Sequence, residues 1–349
     1  MSSTEAHTEM SSTDHSWTEE LPKVNLIPST KHWNKWAVLH VEIVCFVGFV
    51  LNLITLLACW RASILKNGKP VHLFIFNIML TDILTIIVVQ PWLAFYFIDD
   101  GITYIKGDEW GCLSAVVIAI FALETSYYGV LLLTVERFIA IAFPLQHMHR
   151  VTKTVCKTAI AVSWAVVFVK NGVLYVCHPY DSEFKSGCVP RAYMYAGYVN
   201  AHNAHLYTVL ALITVINVMI AGIVIGMTKN RAALRSNNED MKNARRRGEL
   251  KMVKMLFCVV IALFFTWMPF NVVSNIVTRQ RLLGRPIDYN IMVATLMIRG
   301  FNFLGAVADP LLYIWQNPGC RKAVAKLFVR RSNNTLTQPP TISASVPPN

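Results

Sequence analysis

Apolar residues gather along this chain into long blocks, and polar positions fall mostly between them. A helix needs about 20 mainly apolar residues to cross the hydrocarbon core of a bilayer. Seven stretches meet that length, centred on 37 to 60, 72 to 97, 112 to 143, 157 to 177, 195 to 228, 250 to 277 and 288 to 316, here helices one to seven. The pattern predicts an all-α membrane protein, a seven-helix bundle over 37–316. Residues 1–36 read as a disordered outer tail rich in Ser, Thr and Glu. Their start lacks the basic and apolar parts of a signal peptide, so helix one is expected to direct insertion. Residues 317–349 read as a short amphipathic helix eight at 318–329, whose CRKAVAKLFVRR suits an acidic inner leaflet, followed by a disordered cytoplasmic tail.

Composition agrees with the bundle. With 54% hydrophobic and 15% charged residues, the chain has too little polar surface for a soluble domain of 349 residues. About two-thirds of its Lys and Arg fall on one side of the seven crossings, with Arg61, Lys66, Lys69, Arg150, Lys153, Lys157, the 229–254 linker and the tail. The positive-inside bias puts that side in the cytoplasm and the amino terminus outside, and the expected location is the plasma membrane, crossed many times. The bases are spread over short loops, so the net charge of +12 does not point to nucleic acid.

Of the 8 cysteines, Cys45, Cys59, Cys156 and Cys258 lie in or at the ends of helices, where Cys commonly serves as a small apolar residue. Cys112, at the outer start of helix three, and Cys188, in the loop before helix five, face an oxidising compartment and are expected to form a disulfide, with Cys177 the competitor. Cys320, after helix seven, is open to two readings, a palmitoyl anchor or a plain thiol.

The few polar residues inside the membrane narrow the function, because burying them there is expensive. They are Asn52, Asn77, Asp82, Glu124, Ser126, Asn271, Asn302 and Asp309. A channel would show a repeated polar lining, and a membrane hydrolase His and Asp clusters or a Gly-x-Ser-x-Gly turn. Neither occurs, so no enzyme, no catalytic residue and no cofactor is expected.

Asn52 in GFVLN, Asn77 to Asp82 in NIMLTD, Cys112, the ERF triplet at 136 to 138, Trp164, TWMPF at 266 to 270 and DPLLY at 309 to 313 resemble, in order and one per helix, the markers of rhodopsin-like (class A) G-protein-coupled receptors. Helix five lacks its usual proline and inner Tyr. The resemblance implies a receptor whose bundle opens when an extracellular ligand binds, and whose partners are a heterotrimeric G protein, arrestin and membrane lipids. It puts Glu136 and Arg137 at the inner rim of helix three, where Arg137 would pair with Glu136 and with Glu249 on helix six, a clamp whose rupture spreads the helices. Pro269 would bend helix six beside Trp267, so that a small rotation there becomes a large swing at the inner end. The open groove would present Arg137, Val253 and Tyr313 to a partner helix, with Pro144 and Leu145 touching the same partner and Pro310 marking helix seven. Asn52, Asp82, Ser126 and Asp309 resemble the family's mid-membrane sodium cluster; two neighbouring carboxylates need a cation or a shared proton.

The input is less marked. Ala119 stands where the family's amine receptors carry an Asp, and Phe303 where opsins carry the retinal Lys, although Glu124 and GDEWGC resemble opsins. Arg299 favours a carboxylate or phosphate on the ligand, or else reaches headgroups or Asp288. With it, Trp92, Ile120, Leu123, Phe270, Asn271, Ser274 and Phe303 make a mostly apolar pocket for a peptide or small acidic molecule. The alternatives are an opsin relative without the retinal lysine and, in another class, a transporter or a signalling-silent scaffold.

Overall fold

The computed structural model describes residues 31–91, 109–176, 196–233, 258, 261–262, 264–277, 279–280, 283 and 289–328. Helix one is Lys31–Arg61, helix three Glu109–Ala142, helix four Lys153–Val176, helix five Ala196–Ala233 and helix seven Tyr289–Gln316. Helix two is α-helical over Val71–Leu84 and continues through a wider π-turn at Thr85–Val89. Helix six is described continuously over 264–277. Short helices at Ile64–Asn67 and Pro144–Arg150 make the first and second inner loops. The described part of the chain is helical throughout its regular structure, as the long apolar blocks predict. Helices one to five each carry a span long and apolar enough to cross a membrane.

Helix three is the hub. It packs on helices two, four and five, and reaches helix six through Tyr127, whose ring centre lies 3.8 Å from that of Trp267. Around that contact a core forms from Ile78, Tyr127, Val130, Leu206, Leu210 and Trp267. Helices two and three meet closely at Gly129, where a Cβ would stand 2.9 Å from Ile78 Cγ1, so only a hydrogen fits. Helix one packs on helices two and seven, and helix eight returns to lie against helix one. Large apolar residues stay exposed down the outer faces of helices one, four and five, among them Phe46, Phe168 and Val218. Such a surface suits acyl chains and would be an aggregation hazard in water.

Pro310 explains one long-range bond. A proline inside a helix leaves the carbonyl four residues back without its usual N–H partner. That carbonyl belongs to Ala306, and Asn52 Nδ2 of helix one donates to it at 2.7 Å, as well as to Gly48 O at 2.9 Å. Asn77 similarly ties helix two to helix four, accepting from Trp164 Nε1 at 3.0 Å.

Helix eight spans Pro318–Phe328 and starts on a cap. Asn317 Oδ1 accepts from Gly319 N at 2.9 Å and Cys320 N at 3.1 Å, while Pro318 supplies a first-turn residue with no N–H to satisfy. Arg321, Lys322 and Lys326 are exposed. Cys320 is fully buried, with its sulfur 3.2 Å from Cys59 Sγ. Tails 1–30 and 329–349 lie outside the described residues.

Candidate functional site

A small cavity of about 40 Å³ lies at the centre of the bundle, between helices two, three, six and seven. It is lined by Asp82, Ser126, Trp267, Asn302, Phe303 and Asp309, among others. The π-turn helps shape it, since Thr85 at its start faces the cavity while its hydroxyl donates back to Thr81 O at 2.8 Å. Asp82 Oδ2 and Asn302 Oδ1 are buried oxygens without a hydrogen-bond partner. The space exceeds the roughly 10–15 Å³ that one water or small ion requires. Two carboxylates and an amide oxygen thus face a mostly apolar void. Asn52, expected beside them, is not part of the lining; its amide N–H groups go to the helix one and helix seven backbones, and its Oδ1 is buried without a partner.

Further out, Glu124 of helix three is 2% exposed and sits in a cage built by three helices. Lys170 of helix four donates to Glu124 Oε1, and Asn171 Nδ2 donates to Oε2 at 2.8 Å. From helix five, His202 Nδ1 is 3.0 Å from Oε1 and His205 Nδ1 is 3.8 Å from it. His205 Nδ1 also lies 3.3 Å from Lys170 Nζ, and its Nε2 is 2.8 Å from the Tyr128 hydroxyl. Each carboxylate oxygen is thereby held by groups from a neighbouring helix.

At the inner rim, Glu136 Oε1 lies 2.8 Å from His147 Nε2, supplied by the second inner-loop helix. Arg137 Nε stands 3.7 Å from Glu136 Oε2, an ion contact too long for a hydrogen bond. On helix seven the Tyr313 hydroxyl bridges His72 Nδ1 of helix two, at 3.0 Å, and Asn317 Nδ2, which donates to it at 3.2 Å. Toward the outer end, Arg299 of helix seven stacks its guanidinium 5.8 Å above the Phe270 ring of helix six, a cation–π contact that turns the Arg toward the bundle.

The family model "7 transmembrane receptor (rhodopsin family)" matches residues 51–313. The chain belongs to the rhodopsin family of seven-transmembrane receptors. Among its relatives it is 23% identical over 291 residues to the allatostatin-A receptor of Bombyx mori, covering 81% of this chain and 76% of that one. It is 26% identical over 276 residues to the trace amine-associated receptor 13c of Danio rerio, covering 75% and 77%. It is 26% identical over 323 residues to the growth hormone secretagogue receptor type 1 of Rattus norvegicus, covering 83% and 81%. The protein is therefore a multi-pass membrane receptor, and a receptor of this family is not an enzyme.

Within this receptor, the structure brings Asp82, Ser126 and Asp309 to one cavity and sets Trp267 and Phe303 at its outer wall. Phe303 also packs with Val41, Cys45 and Ile86, toward helices one and two. Leu123 touches both the cavity and the Trp267 core. Asn271 bonds to its own helix, donating to Trp267 O at 2.8 Å. Ile120, Phe270 and Ser274 are half-buried, while Pro144 and Leu145 are exposed at the inner surface. Pro269 stands inside helix six, and Cys112 lies in the first turn of helix three. Trp92, Cys188, Glu249 and Val253 lie outside the described residues, and so do the disulfide partner and the helix six half of the clamp.

Sequence reasoning passed over Lys170, Asn171, His202 and His205. A signal was available: a carboxylate in mid-helix three demands a nearby base, and helices four and five place a Lys and an i, i+3 pair of His in their outer halves. His147 was missed because nothing local marks a loop residue that folds back onto the ERF acid.

Proposed function

We propose that this receptor sits in the plasma membrane with its amino terminus outside, binds a peptide in the outer half of its bundle, and activates a heterotrimeric G protein. The observation that carries this reading is the family match together with relatives named as receptors for allatostatin-A and for growth hormone secretagogue. An amine ligand is disfavoured because Ala119 offers no anion to a protonated amine. Arg299, facing inward over Phe270, suits a carboxylate on the peptide, and Ile120, Leu123 and Ser274 furnish apolar and small surface nearby.

The signal would pass through Trp267. Its ring lies against Tyr127 of the hub helix, and two residues further Pro269 lacks the N–H that Phe265's carbonyl would otherwise take. A ligand that favours a rotated Trp267 therefore favours an outward swing of the inner half of helix six. The swing uncovers Arg137 and Tyr313 for a helix of the G protein, beside Pro144 and Leu145; arrestin would read the same opening. The basic face of helix eight would hold the inner leaflet.

The test is nucleotide exchange on an added heterotrimer by receptor in nanodiscs, screened with pools of synthetic peptides and, separately, amines. A peptide should raise exchange on the unaltered receptor and leave Arg137→Ala at background. Exchange that answers amines only would overturn the ligand class, and unchanged signalling by Arg137→Ala would overturn the route to the G protein.

In this reading the central cavity takes sodium, held by Asp82, Asp309, Ser126 and Asn302, with Asn52 fixing helix seven behind them. The partnerless oxygens of Asp82 and Asn302 in its lining support it, with the partnerless Oδ1 of Asn52 outside that lining. Bound to the closed bundle, the ion would supply the charge that two buried carboxylates lack. Replacing choline by sodium at constant ionic strength should raise the unfolding midpoint; a concentration tenfold above its Kd corresponds to about 1.4 kcal/mol. Asp82→Asn should remove that response, and a midpoint indifferent to sodium in the unaltered receptor would dismiss the ion.

A further inference from the structure

Helix eight is held to the bundle along one narrow edge. Among its described residues only Cys320 and Ala323 are buried, and Cys320 meets helix one, its sulfur 3.2 Å from Cys59 Sγ. Val71, Ile75, Met79 and Tyr313 share a core with the two sulfurs, so the contact lies beside the Tyr that bridges His72 and Asn317. A disulfide holds its sulfurs at about 2.05 Å, so a closing movement of roughly 1.2 Å separates this contact from a covalent bond. Both residues are shielded in the packed form, at 5% exposure for Cys59 and 0% for Cys320. Access comes from the helix itself. An 11-residue helix is marginal on its own in water, and Arg321, Lys322 and Lys326 all face outward, so brief lifting of this segment costs far less than unfolding the bundle. Lifting uncovers both thiols, and settling back returns them to contact.

We propose that Cys59 and Cys320 are an oxidisable pair, in which a peroxide converts the two thiols into a reversible disulfide that staples helix eight to helix one. Its hydrogen bond to Cys59 and its burial push the Cys320 thiol up, so Cys320 keeps its proton and Cys59 is the sulfur that attacks first. The Cys59 thiolate bonds to one peroxide oxygen, the O–O bond breaks, and the departing hydroxide takes up the proton that Cys59 gave to solvent, leaving as water. The Cys320 sulfur then attacks the sulfenic sulfur of Cys59. The S–S bond forms, the S–O bond breaks, and the second hydroxide leaves with the Cys320 proton as another water. The two sulfurs together give up two electrons, and the peroxide receives them. Two molecules of a small thiol reverse the change by exchange. In the orientation proposed above this end of the bundle faces the cytosol, where disulfides are rare and those that form are usually transient and redox-sensing. That placing rests on the receptor reading; the chemistry of the pair does not. Because Tyr313 packs in the same core, the staple also steadies the inner end of helix seven.

The probe is hydrogen peroxide, added to the full-length receptor in detergent micelles with no ligand or G protein, so its failure would leave the receptor reading intact. Free thiols are then blocked by alkylation and the chain is digested without reductant. Mass spectrometry should find the peptides of Cys59 and Cys320 joined, two hydrogens lighter than their sum, and separated again by dithiothreitol. The unfolding midpoint of the unaltered receptor should rise by on the order of 5 °C with peroxide and fall back with reductant. Cys59→Ala and Cys320→Ala should each abolish that rise, whatever their own starting midpoints; if one variant does not fold, the other and the peptide map decide. A merely structural pair of thiols gives no joined peptide. The proposal is overturned if Cys59 and Cys320 stay open to alkylation while the exposed Cys258 is oxidised, or if Cys320 carries an acyl chain that hydroxylamine releases. An equal rise in both variants would overturn it as well.

Discussion

Replacing Glu124 by Leu is expected to destabilise the receptor by about 3–4 kcal/mol at pH 7.5, a fall in unfolding midpoint of roughly 6–12 °C in micelles. The magnitude follows from what is left behind. Without the carboxylate, the Lys170 ammonium stands among apolar helices with the imidazoles of His202 and His205 as its remaining partners in the cage. It can stay charged without a counter-ion, or give up its proton. The second course caps the penalty, because neutralising a lysine of ordinary pKa near 10.4 at pH 7.5 requires about 4 kcal/mol. Partial exposure of Lys170 lowers the penalty further. Glu124→Gln should lose less, since an amide oxygen still accepts from Lys170. Combining Glu124→Leu with Lys170→Met should recover most of the loss, because a buried ion pair replaced as a whole by apolar groups is often neutral, whereas half a pair is costly. A double-mutant cycle measures this coupling; strict additivity of the two substitutions would show that the pair is not one unit.

That cage also marks the boundary of what the chain discloses before it folds. Bundle architecture was legible because a crossing is specified by length and apolarity alone, both of which are local. Features built from covalent neighbours were legible for a similar reason: ERF, TWMPF and DPLLY keep their spacing whatever the helices do. Even there, the acid of ERF turned out to be shared with His147, a residue from a separate short helix. The cage depends instead on the rotational setting of helices three, four and five about their own axes. Lys170 and Asn171 are consecutive, about 100° apart on helix four, yet each grips one oxygen of the same carboxylate. Nothing in AVVFVKNGVLYV says that both face inward; a lone Lys near a helix end reads equally well as one that reaches for the headgroups.

The central cavity shows the same division. Asp82 and Asp309 carry charge and so announce themselves in any apolar helix. The separate places of Asn52 and Asn302 were hidden, because they depend on contacts between helices. Pro310 frees the Ala306 carbonyl, and Asn52 Nδ2 of helix one donates to it, which ties that side chain to helix seven outside the cavity lining. Asn302, two turns back on helix seven, lines the void.

Trp267→Ala is expected to destabilise the receptor by about 3 kcal/mol and to uncouple ligand binding from nucleotide exchange. Trp→Ala in soluble cores costs about 3–5 kcal/mol, the sum of a transfer part and a cavity part. Inside a bilayer the transfer part shrinks, because lipid is as apolar as the vacated site, and packing supplies most of what remains. Trp267 packs on Tyr127 at 3.8 Å between ring centres and is 6% exposed, so few neighbours can move in to fill the space. Gly305 on helix seven lies just beyond the indole, where an added Cβ would sit 3.8 Å from Trp267 Nε1, and its lack of a side chain leaves the vacated volume open on that side. The hole would merge with the cavity below, which Trp267 and Tyr127 already line. Trp267→Phe should restore most of the packing against Tyr127 and thus most of the midpoint. If helix six is driven through this indole, the Phe variant should still bind peptide with a weakened exchange response, and the Ala variant should bind with none. Equal exchange by all three forms would mean that the helix three to helix six contact holds the bundle together without transmitting anything through it.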